Sequence, residues 1–129
     1  MTAAKINFDA PDLATQAERH SQFELDHLPF GVIRIDREGI VLFYSATEAE
    51  QSGSGPIPVG QNLFEIADCL AGDGFRGRII RAMEAGPVDL EFGWPGDFAD
   101  PKRELRIRVQ SARQGGVWLF IERDVLPGA

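Results

Sequence analysis

An α+β domain built on one five-stranded antiparallel sheet is the fold class this sequence predicts, and three features predict it. Residues 105–110 alternate strictly, Leu105, Ile107 and Val109 against Arg106, Arg108 and Gln110, as in a strand with one buried face. Val117-Trp-Leu-Phe-Ile121 is a short, wholly apolar run, the pattern of a central strand covered on both faces. The elements come in the order helix, two strands, short helices, a longer helix, three strands, so one right-handed crossover from the first hairpin closes a single sheet. Short helices then lie on one face and enclose a pocket. Residues 1–26 form an N-terminal helical arm and 27–124 the domain proper.

Each element has its own signal. Residues 1–10 read as a loose arm, and Asp12 is placed to cap a helix from Leu13 to Glu24. The apolar stripe of that helix, Leu13, Ala14 and Ala17, is thin, which predicts weak packing. Pro29 ends the pattern. Phe30-Gly-Val-Ile-Arg-Ile-Asp36 is a strand with Ile33 and Ile35 on one face and Val32 and Arg34 on the other. Asp36-Arg-Glu-Gly39 is a tight turn, and Ile40 to Ser45 is the return strand of a hairpin. Ala46 to Glu50 favours a helical turn, and Ser52 to Pro58 is a glycine/proline loop. Asn62 caps a short helix from Leu63 to Ala67. A longer helix spans Gly74 to Ala85, with Phe75, Ile79 and Met83 along one side and Gly86-Pro87 stopping it. Strands at Val88–Trp94, Glu104–Ser111 and Val117–Arg123 complete the set, the last two joined by a turn at Gln114-Gly-Gly116.

Composition narrows the function classes. With 129 residues and 43% hydrophobic content the chain supports one real core. A net charge of −7 repels phosphate backbones and argues against nucleic-acid binding. No apolar run reaches the roughly 20 residues that span a bilayer, and the first residues lack a signal peptide's apolar core, so the expectation is a cytoplasmic protein without a membrane segment. Arg76, Arg78 and Arg81, and again Arg103, Arg106 and Arg108, read as solvated faces. His20 and His27, seven apart with Asp26 nearby, make a poor zinc set, and residues 74–85 hold no histidine for haem. No nucleophile–base arrangement or metal motif points to an enzyme. Trp94, Trp118, Phe92 and Phe120 read first as core aromatics, an exposed subset of which could form a homodimer face.

The chemistry-bearing residues are few. Cys69 is the chain's single cysteine, so its thiol has no internal disulfide partner and is either a small buried hydrophobe or a reactive group. Leu42-Phe-Tyr-Ser-Ala-Thr-Glu48 carries the single tyrosine, Tyr44, four residues before Glu48. By default Tyr44 is an amphipathic core-edge residue and Glu48 a solvated one.

The element order resembles that of a PAS domain. Leu25-Asp-His-Leu-Pro-Phe-Gly-Val-Ile-Arg-Ile-Asp36, Ile40-Val-Leu-Phe-Tyr44, Gly60-Gln-Asn-Leu-Phe64, Ala67-Asp-Cys69 and Trp118-Leu-Phe-Ile121 resemble the photoactive yellow protein family over about residues 22–124. That resemblance implies 4-hydroxycinnamic acid (p-coumaric acid) held as a thioester on Cys69. It gives Tyr44 and a protonated Glu48 as hydrogen-bonding partners of the phenolate, and Ser52 as a supporting hydroxyl. It implies a blue-light photoreceptor that signals by isomerisation and partial unfolding to a separate signalling protein, with release of the arm as the readout. A pigment-free PAS sensory or interaction module is the alternative. Asp68, whose charge opposes ionisation of the neighbouring thiol, and a short approach from Phe64 to Cys69 favour it.

Overall fold

The computed structural model describes residues 6–52, 57–66, 76–95 and 104–123. The elements are α1 (Leu13–Glu18), α2 (Gln22–Asp26), β1 (Gly31–Ile35), β2 (Val41–Tyr44), α3 (Ala46–Ser52), α4 (Leu63–Ile66), α5 (Arg78–Ala85), β3 (Asp89–Pro95), β4 (Glu104–Ser111) and β5 (Val117–Arg123). The strands form one five-stranded sheet in the order β2-β1-β5-β4-β3. Every neighbouring pair is antiparallel. The crossover thus carries the chain from one edge to the other, and β5 returns to the middle beside β1. That central place explains its unbroken apolar run. Among the described residues no helix is long and apolar enough to cross a membrane.

The sheet separates two cores. On the inner face Ile33, Ile35, Ile107, Val109, Leu119 and Ile121 pack with Leu63 and Phe64 of α4 and Ile79 of α5. On the outer face Val32, Phe43, Trp118 and Phe120 pack with Ile6, Phe8, Leu13 and Leu25. The alternation in β1 and β4 assigns these faces as the sequence predicts, and β5, apolar throughout, packs on both as a central strand does. The Asp36–Gly39 turn is also where it is expected, with Asp36 Oδ1 accepting from the amides of Glu38 and Ile40, each at 2.9 Å. In the turn between β4 and β5, Gly116 has φ +75°, and a Cβ there would lie 2.1 Å from the Ile35 carbonyl oxygen. No other residue fits that approach.

The arm departs from expectation in three ways. First, the helix expected over Leu13–Glu24 is two short helices broken at 19–21. Ser21 takes an extended conformation and closes a capping box on α2: its hydroxyl accepts from Glu24 N at 3.1 Å, and Glu24 Oε1 accepts from Ser21 N at 3.0 Å. The Ser-x-x-Glu spacing is the local signal that outweighs the helical stripe. Asp12 precedes α1 without capping it, its carboxylate instead accepting from Gln16 Nε2 at 2.9 Å. Second, the arm is not loose where it is described: Ile6, Phe8, Leu13 and Ala17 are all buried. Third, the polar face of β4 is not a solvated one. Arg108 and Gln110 are each only 7% exposed. Arg108 Nη1 donates to the carbonyls of Phe8 and Ala10, both at 2.6 Å, and Gln110 Nε2 donates to that of Pro11 at 2.9 Å. Gln110 Oε1 accepts from Ala14 N at 2.8 Å. An irregular backbone laid over a sheet needs partners for its polar groups, and β4 supplies them. Arg106, half-exposed, joins Asp9, Glu91 and Glu122, and its bond to Glu91 followed by that to Asp9 holds its guanidinium more firmly protonated still.

The capping box is open to test. Replacing Ser21 by alanine is expected to cost about 1 kcal/mol in a urea titration. The hydrogen bond donated by the Ser21 backbone amide holds the Glu24 carboxyl below the usual carboxylate range. A depressed carboxyl stabilises the fold above its unfolded-state pKa, and this contribution fades as pH falls through the folded value. Ser21→Ala keeps that backbone amide, so the acid-sensitive part is read with Glu24→Gln: the wild-type advantage over Glu24→Gln should narrow as pH falls.

Candidate functional site

The site is built at the junction of β2 and α3. Ser45 is fully buried, and its hydroxyl accepts from Val32 N at 3.0 Å and from Glu48 N at 3.1 Å. It therefore caps the first turn of α3 while joining that turn to β1. The same turn is fastened to the arm. Asp26 Oδ1 accepts from Ala46 N at 2.8 Å, and the Thr47 hydroxyl lies 2.7 Å from the Leu28 carbonyl. With Thr47 turned toward the arm, the next residue along α3, Glu48, is buried.

Glu48 is 2% exposed, against the solvated default for a carboxylate on a short helix. Its Oε1 and Oε2 accept from Arg123 Nη1 and Nη2, both at 2.7 Å. Both side chains are 2% exposed. Arg123 reaches the inner side because it continues the β5 series Val117, Leu119, Ile121, each of which faces that core. Gly31 completes the fit: a Cβ there would lie 1.8 Å from Glu48 Oε1 and 3.1 Å from Glu48 Cβ. Tyr44, 3% exposed, belongs to the same inner core and stands opposite Ile33 in the sheet.

A carboxylate accepting two parallel bonds from a guanidinium is in the geometry of an ion pair. The protonated, donating Glu48 that the resemblance implies differs from this arrangement, and the physical reason is Arg123. Removing two charges from water costs several kcal/mol per ion, which only such close, fully bonded geometry offsets. The sequence alone does not single out Arg123. Its signal was the period-two alternation of β5, which carries the inward-facing series through to a charged residue.

Of the candidate residues, Tyr44 and Glu48 are both buried, at the end of β2 and in the first turn of α3. Cys69 lies outside the described residues, as do the side chains of Ser52 and Trp94. Trp118 and Phe120 are buried beneath the arm and stacked, with centroids 6.1 Å apart. They do not form an exposed face. Among the described residues no three of His, Cys, Asp and Glu gather into a possible metal site.

No family model matches the sequence. Photoactive yellow protein from Cereibacter sphaeroides is 32% identical over 121 residues, covering 92% of this chain and 97% of the relative. The photoactive yellow protein domain of the sensor histidine kinase Ppr from Rhodospirillum centenum superposes with a TM-score of 0.69 at 30% identity, over 81% of this chain and 94% of that one. The PAS domain of an HTR-like protein from Haloarcula marismortui shares the fold alone, with a TM-score of 0.54 at 11% identity over 85% of this chain and 97% of that domain. Sheet order and near full-length similarity agree: the chain belongs to the photoactive yellow protein family.

Proposed function

We propose that this chain is a blue-light photoreceptor that carries 4-hydroxycinnamic acid as a thioester on Cys69 and signals through its N-terminal arm. The observation that supports the reading best is the burial of Tyr44, Glu48 and Arg123 toward the inner core, around a carboxylate that an ordinary surface helix would leave in water. A phenol and a guanidinium are donors suited to an anionic phenolic oxygen. Bound there, the pigment would supply absorption of visible light and a change of shape on isomerisation.

The chain's own residues set the electrostatics. One guanidinium neutralises one anion, so a second negative charge beside Arg123 competes with Glu48 for it. Like-charge repulsion and burial then drive Glu48 toward its protonated form, in which it can donate a hydrogen bond. Tyr44 orients the phenolic end, and Gly31 leaves room for the Glu48 side chain. Displacement at Arg123 would strain β5, whose alternate residues Trp118 and Phe120 lie under the arm. The arm is the element placed to respond, and a separate signalling protein in the cytoplasm is the proposed recipient.

Reconstitution tests this directly. Apoprotein mixed with activated 4-hydroxycinnamic acid should gain a visible absorption band and the matching mass, and Cys69→Ala should gain neither. A mass gain persisting in Cys69→Ala would move the attachment elsewhere, and absence of any visible band in the wild type would overturn the pigment reading. One observation favours the alternative of a pigment-free PAS sensory module: Glu48 and Arg123 already match in charge without a ligand. Under that reading a partner protein binds equally in light and dark.

A further inference from the structure

On the opposite side of the sheet, a cleft of about 320 Å³ opens between the arm and the outer surface of β1, β2 and β5. That is at the small end of the range for small-molecule pockets. Its lining sets Arg34 and Arg113 beside Leu42, Phe43 and Trp118. The Arg34 guanidinium carbon lies 5.6 Å from the centroid of the Trp118 ring. Its Nε is buried and has no hydrogen-bond partner among the described residues. The carboxylate in the cleft does not satisfy it. Glu18 Oε2 accepts instead from the Arg113 backbone amide at 2.8 Å and from Trp118 Nε1 at 3.0 Å. His20, also in the lining, has its Nδ1 2.7 Å from the Gln16 carbonyl. Among the described residues neither arginine side chain makes an ion pair.

A buried donor without a partner is costly, and a guanidinium is best matched by a planar, bidentate anion. The adjoining wall is aromatic and aliphatic. We propose that this cleft binds a small aromatic carboxylate, with its charged end on Arg34 and Arg113 and its ring against Leu42, Phe43 and Trp118. Arm and sheet form opposite walls, so the ligand binds the docked arm and favours docking. The site does not depend on the pigment, because Glu48 and Arg123 belong to the inner face.

Titration with sodium benzoate, followed by amide and side-chain N–H resonances, tests the proposal, with benzamide as the neutral control. Benzoate should give saturable shifts at the Trp118 indole and Arg34 Nε–H and should raise the urea midpoint. Benzamide should bind about tenfold more weakly or worse, since it lacks the charge-assisted bonds. Arg34→Met should weaken benzoate by a similar factor, and Arg34→Lys should keep part of the affinity. If Arg34→Met does not fold, Arg113→Met carries the same expectation. Equal binding of benzamide, shifts spread evenly over surface arginines, or unchanged affinity in a folded variant of either arginine would overturn it.

Discussion

Replacing Arg123 by methionine is expected to destabilise the domain by about 3–5 kcal/mol, because it strands the Glu48 carboxylate in the interior. Glu48 is 2% exposed and accepts from Arg123 through both oxygens. Methionine keeps much of the side chain's volume, so the loss is chiefly of charge and hydrogen bonds. On the scale of a small domain's total margin, about 5–15 kcal/mol, the change is severe. Urea denaturation with global fitting measures it. The double variant Glu48→Met/Arg123→Met removes both charges and should recover most of the loss, since an apolar pair of similar size is often neutral or better than a buried ion pair. Acid offers a second check on the single variant. An unpaired buried carboxyl has a raised folded-state pKa, so its penalty is full at neutral pH and shrinks as the group takes up a proton. The deficit of Arg123→Met should therefore narrow as pH falls. A deficit below about 1 kcal/mol at neutral pH would be the yield of an exposed pair and would contradict the buried geometry.

The same ion pair shows where reading the sequence succeeds and where it stops. The unbroken apolar run Val117–Ile121 marks β5 as a central strand covered on both faces, and in the fold period two sends Val117, Leu119 and Ile121 to the inner core and Trp118 and Phe120 to the outer. Extending the period by two residues reaches Arg123, but its target lies 75 residues away on another element. No local pattern carries that distance. Arg108 and Gln110 show a different limit. A polar residue opposite a buried strand face looks the same in sequence whether it meets water or the carbonyls of an arm nearly 100 residues upstream. The arm misled for a third reason. Its burying residues, Ile6, Phe8, Leu13 and Ala17, straddle an irregular segment and a short helix, so no single periodicity collects them. In α2, by contrast, the capping box is wholly local, and Ser21 and Glu24 specify it within four residues.

Removing residues 1–20 is expected to uncover the outer face of the sheet while leaving the inner core in place. The deletion takes away the buried side chains Ile6, Phe8, Leu13 and Ala17 and the carbonyls that hold Arg108 and Gln110. Burial of each large apolar side chain contributes about 1.5–3 kcal/mol, so the truncated chain should lose several kcal/mol in urea denaturation. The inner core draws on none of the deleted residues, and the strand signal in circular dichroism should persist. What changes in kind is the surface. Trp118 and Phe120, 5% and 0% exposed in the intact chain, would face water together with Val32 and Phe30. A contiguous aromatic patch of that sort favours association, so the truncated protein should form dimers by light scattering and bind a hydrophobic dye. Arg108→Met provides a gentler version. It removes two charge-assisted bonds to the arm without deleting apolar contacts, and it should make residues 6–20 more accessible to protease at little cost to the sheet. A truncated protein that stays monomeric, dye-free and as stable as the intact chain would mean the arm contributes neither packing nor protection. The outer core would then have to be held by the sheet alone, which the exposed rings of Trp118 and Phe120 could not achieve.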